Sequence, residues 1–428
     1  MTQNRKRAVV EGDRKDRISS LPRNVMDNIL ELLPVQDGAR TSILSQKWRY
    51  IWAKLPNLVL SHDFCSKLIE ESESNFKEAV DSILLLHMGD ITGFLLDTSG
   101  VSLSSYAAID RWMLYVTRKG VEKLTLRIPV DNPYRLPSSI FNCSTLTHLT
   151  LSNCVFKPPM SFFGFQNLNT LSLSFSIFVP TRSFCVIKAP LLACLTLNSC
   201  CGTQYLNIIS PPKLEFLYIH NSHYYPLQNC FMNCKNLREF VLVFNGEVNA
   251  RKHNEKSTLE KLLVSSRALE VLRLDSFFVE LLSAHIVPNG RPFTLNCLWH
   301  LSLGVDFVKT GQISYALHLI KSCPNLSKLD IWVHATSDNA KAILMYLDTP
   351  SCLERALDKL EHVVIKSFRS SKAELLFVKL LLSCTPSLLK MCIVQLIDID
   401  VDIALELMRF PRASPRAELF YSQHKDDL

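Results

Sequence analysis

In the middle of the chain, His220-x₂-His223-x₆-Cys230-x₃-Cys234 offers two imidazoles and two thiols, the donors that tetrahedral zinc takes. A second group is made of large polar and aromatic residues: Tyr218, His220, Arg273, Asp275, Asp330 and Trp332. Their chemistry is recognition, because Tyr, Trp and Arg dominate binding hot spots. Neither set is accompanied by bond-making machinery. The sequence holds no G-x-x-x-x-G-K-[ST], no G-x-G-x-x-G, no G-x-S-x-G and no Cys-x-x-Cys pair. It therefore offers no phosphate cradle, no nucleophile elbow and no RING-type zinc module of its own. The expectation is a non-enzyme that needs no cofactor.

The elements that must position these residues form a repeat. The spacing apolar-x-x-apolar-x-apolar begins at Val121, Leu146, Leu168, Leu192, Leu214, Leu237, Leu269, Leu298 and Leu326, at intervals of 22 to 32 residues. Most of those intervals are those of leucine-rich repeats, and the longer ones need helical or looped return segments. In each unit the last two apolar positions alternate on a short strand and point inward, so the residue between them points out. One unit cannot bury such a face, and neighbours must stack to share a core.

That register sorts the candidates. The outward central column reads Thr125, Thr150, Ser172, Thr196, Tyr218, Val241, Arg273, Ser302, Asp330, and the next column carries His220, Asp275, Gly304 and Trp332. Small hydroxyls give way to aromatic and charged groups in the later repeats, which is where a target protein is expected to bind. The zinc spacing weakens in the same frame. His220 falls on a strand, and Cys234 precedes Leu237 as Cys143 precedes Leu146 and Cys323 precedes Leu326. A repeated structural role accounts for Cys234 better, so no metal is expected. Cys154, Cys200 and Asn245 stand three positions past the strand leucines, where such repeats bond their turns.

Composition agrees with a stacked array. Leu supplies 68 of 428 residues and Gly only 12, while 47% hydrophobic and 20% charged residues exclude a disordered chain. Of the net +7, most lies in residues 1–54, with 11 Lys/Arg against 6 Asp/Glu. No broad basic surface for nucleic acid follows. Apolar runs such as Ile83 to Leu86 are far below the roughly 20 residues of a membrane span, and the start lacks an apolar signal core. The 14 Cys read as reduced, buried small hydrophobes, so the expected location is the nucleus and/or the cytoplasm.

The N-terminal part has a different texture. Val25, Ile29, Leu32 and Leu33 share one helix face, Pro34 closes it, and Trp48, Ile51 and Trp52 follow with helical spacing. Three short helices bearing this much apolar surface suggest a face meant for another protein. Asp16-Arg-Ile-Ser-Ser-Leu-Pro22, Ile29-Leu30, Leu33-Pro34 and Thr41-Ser-Ile-Leu-Ser-Gln-Lys-Trp-Arg-Tyr-Ile-Trp52 closely resemble the F-box of plant F-box/leucine-rich-repeat proteins. The segment Leu360–Ile393 is similar to the FBD domain that ends many of them. Arg23 stands where the family usually has an acidic residue.

The resemblance implies an α/β protein: an N-terminal three-helix F-box, then a leucine-rich-repeat solenoid with a parallel concave sheet, closed by FBD-type repeats. The expected organisation is a basic disordered tail over 1–15, the F-box over 16–56, lead-in units over 57–120, repeats over 121–350, the FBD segment over 351–400 and a tail over 401–428. The implied function is substrate recognition in an SCF-type (cullin-RING) ubiquitin ligase. Leu21, Pro22, Val25, Ile29, Leu32, Leu44 and Trp48 would face the adaptor subunit, with a cullin reached through it, and the repeats would hold an unidentified target. A protein-binding scaffold without ubiquitin transfer and a small-molecule or hormone co-receptor are the alternatives; no nucleic acid or membrane partner is expected.

Overall fold

A short strand with two inward leucines must find cover on both sides, and that requirement organises the chain. The structure is a computed structural model of the 428-residue chain. It describes residues 20–423 apart from 32, 34, 44–47, 49–50, 181–184, 204–205, 210, 221–233, 245–252, 284–293, 337–340, 348–356 and 397–400. Two units emerge, Met1–Pro129 and Val130–Leu428.

The first unit opens with α1 (Arg23–Glu31) and α2 (Val35–Arg40), followed by 3₁₀ turns at Thr41–Ile43 and Trp52–Lys54. Pro22 lies one residue before α1, and its carbonyl accepts the N–H groups of Val25 and Met26 at 3.1 and 3.2 Å. Met26, Leu30, Trp48, Ile51, Trp52, Ala53 and Leu55 form the core of this part, with Leu21, Ala39 and Ile83 packed against it. Next come β1 (Asn57–Leu60), α3 (His62–Glu71), α4 (Glu73–Leu86), β2 (Gly93–Asp97), α5 (Ala107–Arg118) and β3 (Lys123–Arg127). Two helices, α3 and α4, stand before β2. Ser72 breaks them with extended backbone, and its hydroxyl accepts the N–H of Ser74 at 3.2 Å to cap α4. The strands run parallel in the order β1-β2-β3. The expected start of the repeats at residue 121 therefore falls inside this unit, because β3 pairs with β2.

The second unit continues with β4 (Tyr134–Arg135), α6 (Ser138–Phe141), β5 (His148–Ser152), β6 (Cys154–Phe156), β7 (Thr170–Ser174), β8 (Ile177–Phe178), β9 (Cys185–Lys188), β10 (Cys194–Asn198), β11 (Leu206–Ile209), β12 (Phe216–His220) and β13 (Glu239–Val243). Then follow α7 (His253–Ser265), β14 (Val271–Leu274), α8 (Ser276–Ser283), β15 (His300–Asp306), α9 (Thr310–Lys321), β16 (Lys328–Ala335), α10 (Lys341–Leu347) and β17 (His362–Phe368). The last elements are α11 (Lys372–Cys384), β18 (Lys390–Gln395), α12 (Val401–Arg409) and β19 (Glu418–Gln423).

The main sheet of this unit is parallel, in the order β5-β7-β10-β12-β13-β14-β15-β16-β17-β18-β19. Its register is that of the repeat: Leu149, Leu171, Leu195, Leu217, Phe240, Leu272, Leu301 and Leu329 form one buried row. One carbonyl per repeat accepts two N–H groups from the next, as Asn169 accepts from Ala193 and Cys194 at 2.8 and 3.0 Å. Past β5, β7 and β10 the chain turns through left-handed Asn153, Phe175 and Ser199, at φ 58°, 51° and 51°. Each N–H there bonds the end of the next strand, at 2.9, 2.8 and 2.8 Å. Early return segments are the short strands β4, β6 and β8 and the pair β9–β11. From α7 onward the returns are helices, which accounts for the longer intervals read from the sequence.

The closing segment extends the array. Buried Glu374 accepts the N–H groups of Arg369 and Ser371 at 3.0 Å each, while the Ser371 hydroxyl accepts the Glu374 N–H, a capping box that fixes the start of α11. Residues 401–428, expected as a tail, hold α12 and β19, and β19 pairs in register with β18. This is a correction to the expected organisation: the stack adds another strand beyond β18. The expected tail over 1–15 lies outside the described residues.

Gly164 shows how closely the return segments pack. At φ +125° it bridges Lys188, and a Cβ there would stand 2.0 Å from the Lys188 carbonyl oxygen. Gly164→Ala is expected to cost about 2–3 kcal/mol, read as a lower denaturant midpoint without a change of slope.

Candidate functional site

Two surfaces carry the recognition chemistry, one in each unit. In the first, α1 turns Met26 and Leu30 inward and leaves Val25 half-buried and Ile29 37% exposed. Leu33 is 38% and Ile43 88% exposed, and Pro22 is exposed. The helix thus has an apolar arc wider than its core covers. Beside it opens a cleft of about 320 Å³ lined by Leu33, Val35, Trp52, Val59, Leu95 and Lys123. Arg23 pairs with Asp27 one turn on, at 3.9 Å.

The expected adaptor-facing set is thereby sorted. Pro22 and Ile29 point out, and Val25 lies at the margin. Leu21 is half-buried against the core. Trp48 corrects the expectation: only 2% exposed, it fills the core instead of facing a partner. Its indole N–H has no hydrogen-bond partner among the described residues. The reason is size, since a unit this small uses its largest apolar side chains to build a core at all. Leu32 and Leu44 lie outside the described residues. Leu33 and Ile43 are additions to that set; Leu33 lies on the helix face read from the sequence, and both stand in the quoted motifs.

In the second unit the outward columns of the sheet align as the repeat requires. Thr150, Ser172, Thr196, Tyr218, Val241, Arg273, Ser302 and Asp330 are consecutive register partners. Arg273, Asp275 and Trp332 share a cleft of about 300 Å³, walled also by Val243, Phe244, Ser302, Gly304 and His334. The Arg273 guanidinium carbon lies 5.2 Å from the Trp332 ring centre, and the Lys366 ammonium lies 4.4 Å from it. Gly304 is required at the base, because a Cβ there would meet the Ser276 backbone nitrogen at 2.6 Å.

Three of the expected target contacts are already engaged. Tyr218 donates its hydroxyl to Glu239 at 2.5 Å on the neighbouring strand, and burial first, then that carboxylate, pushes its phenol pKa up. Asp330 is held by His300 at 2.9 Å. Asp275 is not an outward strand residue, which corrects its placement: β14 ends at Leu274, and the Asp275 carboxylate accepts the backbone N–H groups of Phe244 and Phe278, the latter at 3.1 Å. It caps α8, and burial raises its pKa to about 6. His220 is half-buried, with a pKa lowered by burial and then by the charge of Arg273.

Lys366 was missed in the sequence, although it extends the Trp332 column into the next repeat, where the two are register partners. Of the zinc spacing, His220 lies on β12, and the buried Cys234 thiol donates to the Pro211 carbonyl at 3.8 Å. His223 and Cys230 lie outside the described residues. Among the described residues no group of three or more His, Cys, Asp or Glu is placed to hold a metal.

The family model for the LRR repeats of FBD-associated F-box protein At5g56370 matches residues 109–331, and the F-box domain model matches 18–60. An F-box/FBD/LRR-repeat protein of Arabidopsis thaliana is 31% identical over 96% of this chain and 100% of its own. An F-box/LRR-repeat protein of the same plant is 39% identical over 32% of this chain and 26% of its own. Among solved structures, an internalin of Listeria monocytogenes aligns at a TM-score of 0.38 and 14% identity over 82% of this chain and 95% of that one, too distant to add to the fold argument.

Asp275 and Arg273 should separate structure from recognition. Asp275→Ala leaves two backbone N–H groups without their acceptor and is expected to cost about 1–2 kcal/mol. Arg273→Ala, an outward change, is expected to stay within about 0.5 kcal/mol. Thermal denaturation of the two variants side by side checks this.

Proposed function

Because the chain belongs to the plant F-box/FBD/leucine-rich-repeat family, we propose that it is a non-catalytic substrate receptor of an SCF-type ubiquitin ligase. In this reading the F-box docks on the adaptor subunit, the adaptor links it to a cullin, and the repeats hold a target protein. The observation that carries it is that Ile29, Leu33 and Ile43 stand exposed on a part whose core Met26, Leu30 and Trp48 already fill. Exposed apolar side chains grouped on one face mark an interaction site. The chain's contribution to chemistry is proximity: tethering a target beside a charged conjugating enzyme raises its effective concentration to about the millimolar range. A second reading, a small-molecule co-receptor, is favoured by one feature, the cleft of about 300 Å³ at Trp332, near the lower bound for ligand pockets.

The adaptor assignment is tested by Ile29→Glu combined with Ile43→Glu. Both positions are exposed, so the thermal transition should hold, while an unpaired carboxylate buried in an apolar interface costs more than a neutral polar group would. Recovery of adaptor and cullin with the tagged chain is expected to fall at least roughly tenfold. Trp48→Ala is expected to differ, lowering stability by about 3–5 kcal/mol through the cavity it leaves. Undiminished adaptor recovery by the folded double variant rejects the docking face; a target recovered without any cullin favours a plain scaffold.

A further inference from the structure

We propose that the cleft at Arg273 and Trp332, with Lys366 against the same indole, binds an extended acidic peptide segment of the target, its carboxylates paired with the two cations. The inference rests on reading the repeats as the target-holding part, but not on the F-box assignment.

On the open face of the later repeats the acids are engaged within the fold, although the Asp330 Oδ1 is buried without a hydrogen-bond partner among the described residues. Asp330 is bonded to His300 at 2.9 Å, Glu239 receives the Tyr218 hydroxyl, and Asp275 takes the N–H groups of Phe244 and Phe278. Among the described residues Arg273 and Lys366 have no such acid; each lies against the Trp332 ring, at 5.2 and 4.4 Å. An indole face attracts a cation but does not neutralise it. His334 adds a further nitrogen base at the rim, and the Arg369 guanidinium reaches the His334 carbonyl at 3.2 Å. The local excess is positive, in a repeat region whose overall charge is near balance.

The cleft is shaped as well as charged. β17 bulges between Lys366 and Phe368, with Ser367 at φ 58°, and bulges re-aim neighbouring side chains. Arg273 and Lys366 stand on strands separated by β15 and β16, and both reach one ring. An extended segment advances about 3.3 Å per residue, so acidic residues two or three apart can engage the guanidinium and the ammonium together. Val243, Phe244 and Val333 give apolar wall to the intervening side chain. A nucleic acid would need a track of cations along its backbone, and the unpaired pair here is local.

The test uses the full chain and three probes: a fluorescein-labelled peptide of alternating glutamate and leucine, its glutamine counterpart, and free glutarate. By fluorescence anisotropy the glutamate peptide is expected to bind, to weaken with added salt, and to exceed the glutamine peptide at least roughly tenfold. Arg273→Gln with Lys366→Gln should lose binding by a similar factor at an unchanged thermal transition. Arg273→Lys with Lys366→Arg should retain most of it, which guards against a folding defect. No binding of the glutamate peptide, equal binding of the two peptides, or wild-type binding by the folded charge-removed variant overturns the proposal. Displacement by glutarate at concentrations as low as the peptide's own also overturns it, assigning the cleft to a small acid. Adaptor recovery from the same samples is read separately, so peptide binding without adaptor capture rejects the ligase reading and leaves this one standing.

Discussion

Two leucines on a five-residue strand have no cover of their own, and everything else in the second unit follows from where they find it. Each row, such as Leu149, Leu171, Leu195 and Leu217, is buried because a parallel neighbour stands on either side. The same constraint sets the turn geometry. If the strands are to stack in register, the chain must leave each at the same place and in the same direction. Left-handed Asn153, Phe175 and Ser199 do this, and a phenylalanine accepts that conformation only because its neighbours hold it. Aromatic side chains fill the return side, with Phe156 edging Phe141 at 5.1 Å and Phe178 at 5.6 Å.

Alternation then separates two jobs that a globular core usually mixes. Inward positions hold the stack; outward positions are free for recognition, and where they are large they contact one another first. Tyr218 with Glu239 and His300 with Asp330 are pairs between adjacent strands, offset by two residues in register. Such pairs steady the sheet and subtract from the surface offered to a partner. What remains is narrower than the outward columns suggest, and it is concentrated where a tryptophan holds two cations.

Much of this was legible in the sequence because periodicity reports burial directly. The leucine register located the strands, and the longer intervals required helical or looped returns, which from α7 onward are helices. Three features escaped for distinct reasons. Asp275 follows its strand directly and precedes Ser276-Phe277-Phe278, a helix-start signal that the column reading overrode. The last strand lacks the first apolar position of the motif, Arg416 standing there, so α12 and β19 passed for a tail. Trp48 and Ile29 share one apolar pattern, and only packing decides that one is core and the other surface.

The bonds that hold one repeat to the next, a shared carbonyl and a shared row of leucines, make no use of the outward side chains. Descent with modification therefore meets little resistance on that face. A substitution at Arg273 or Lys366 changes the outward surface and leaves the stack as it is, whereas one at the buried Leu272 or Ile365 disturbs the stack first. Copies of such a chain can diverge at a few alternating positions while each inherits a sound frame.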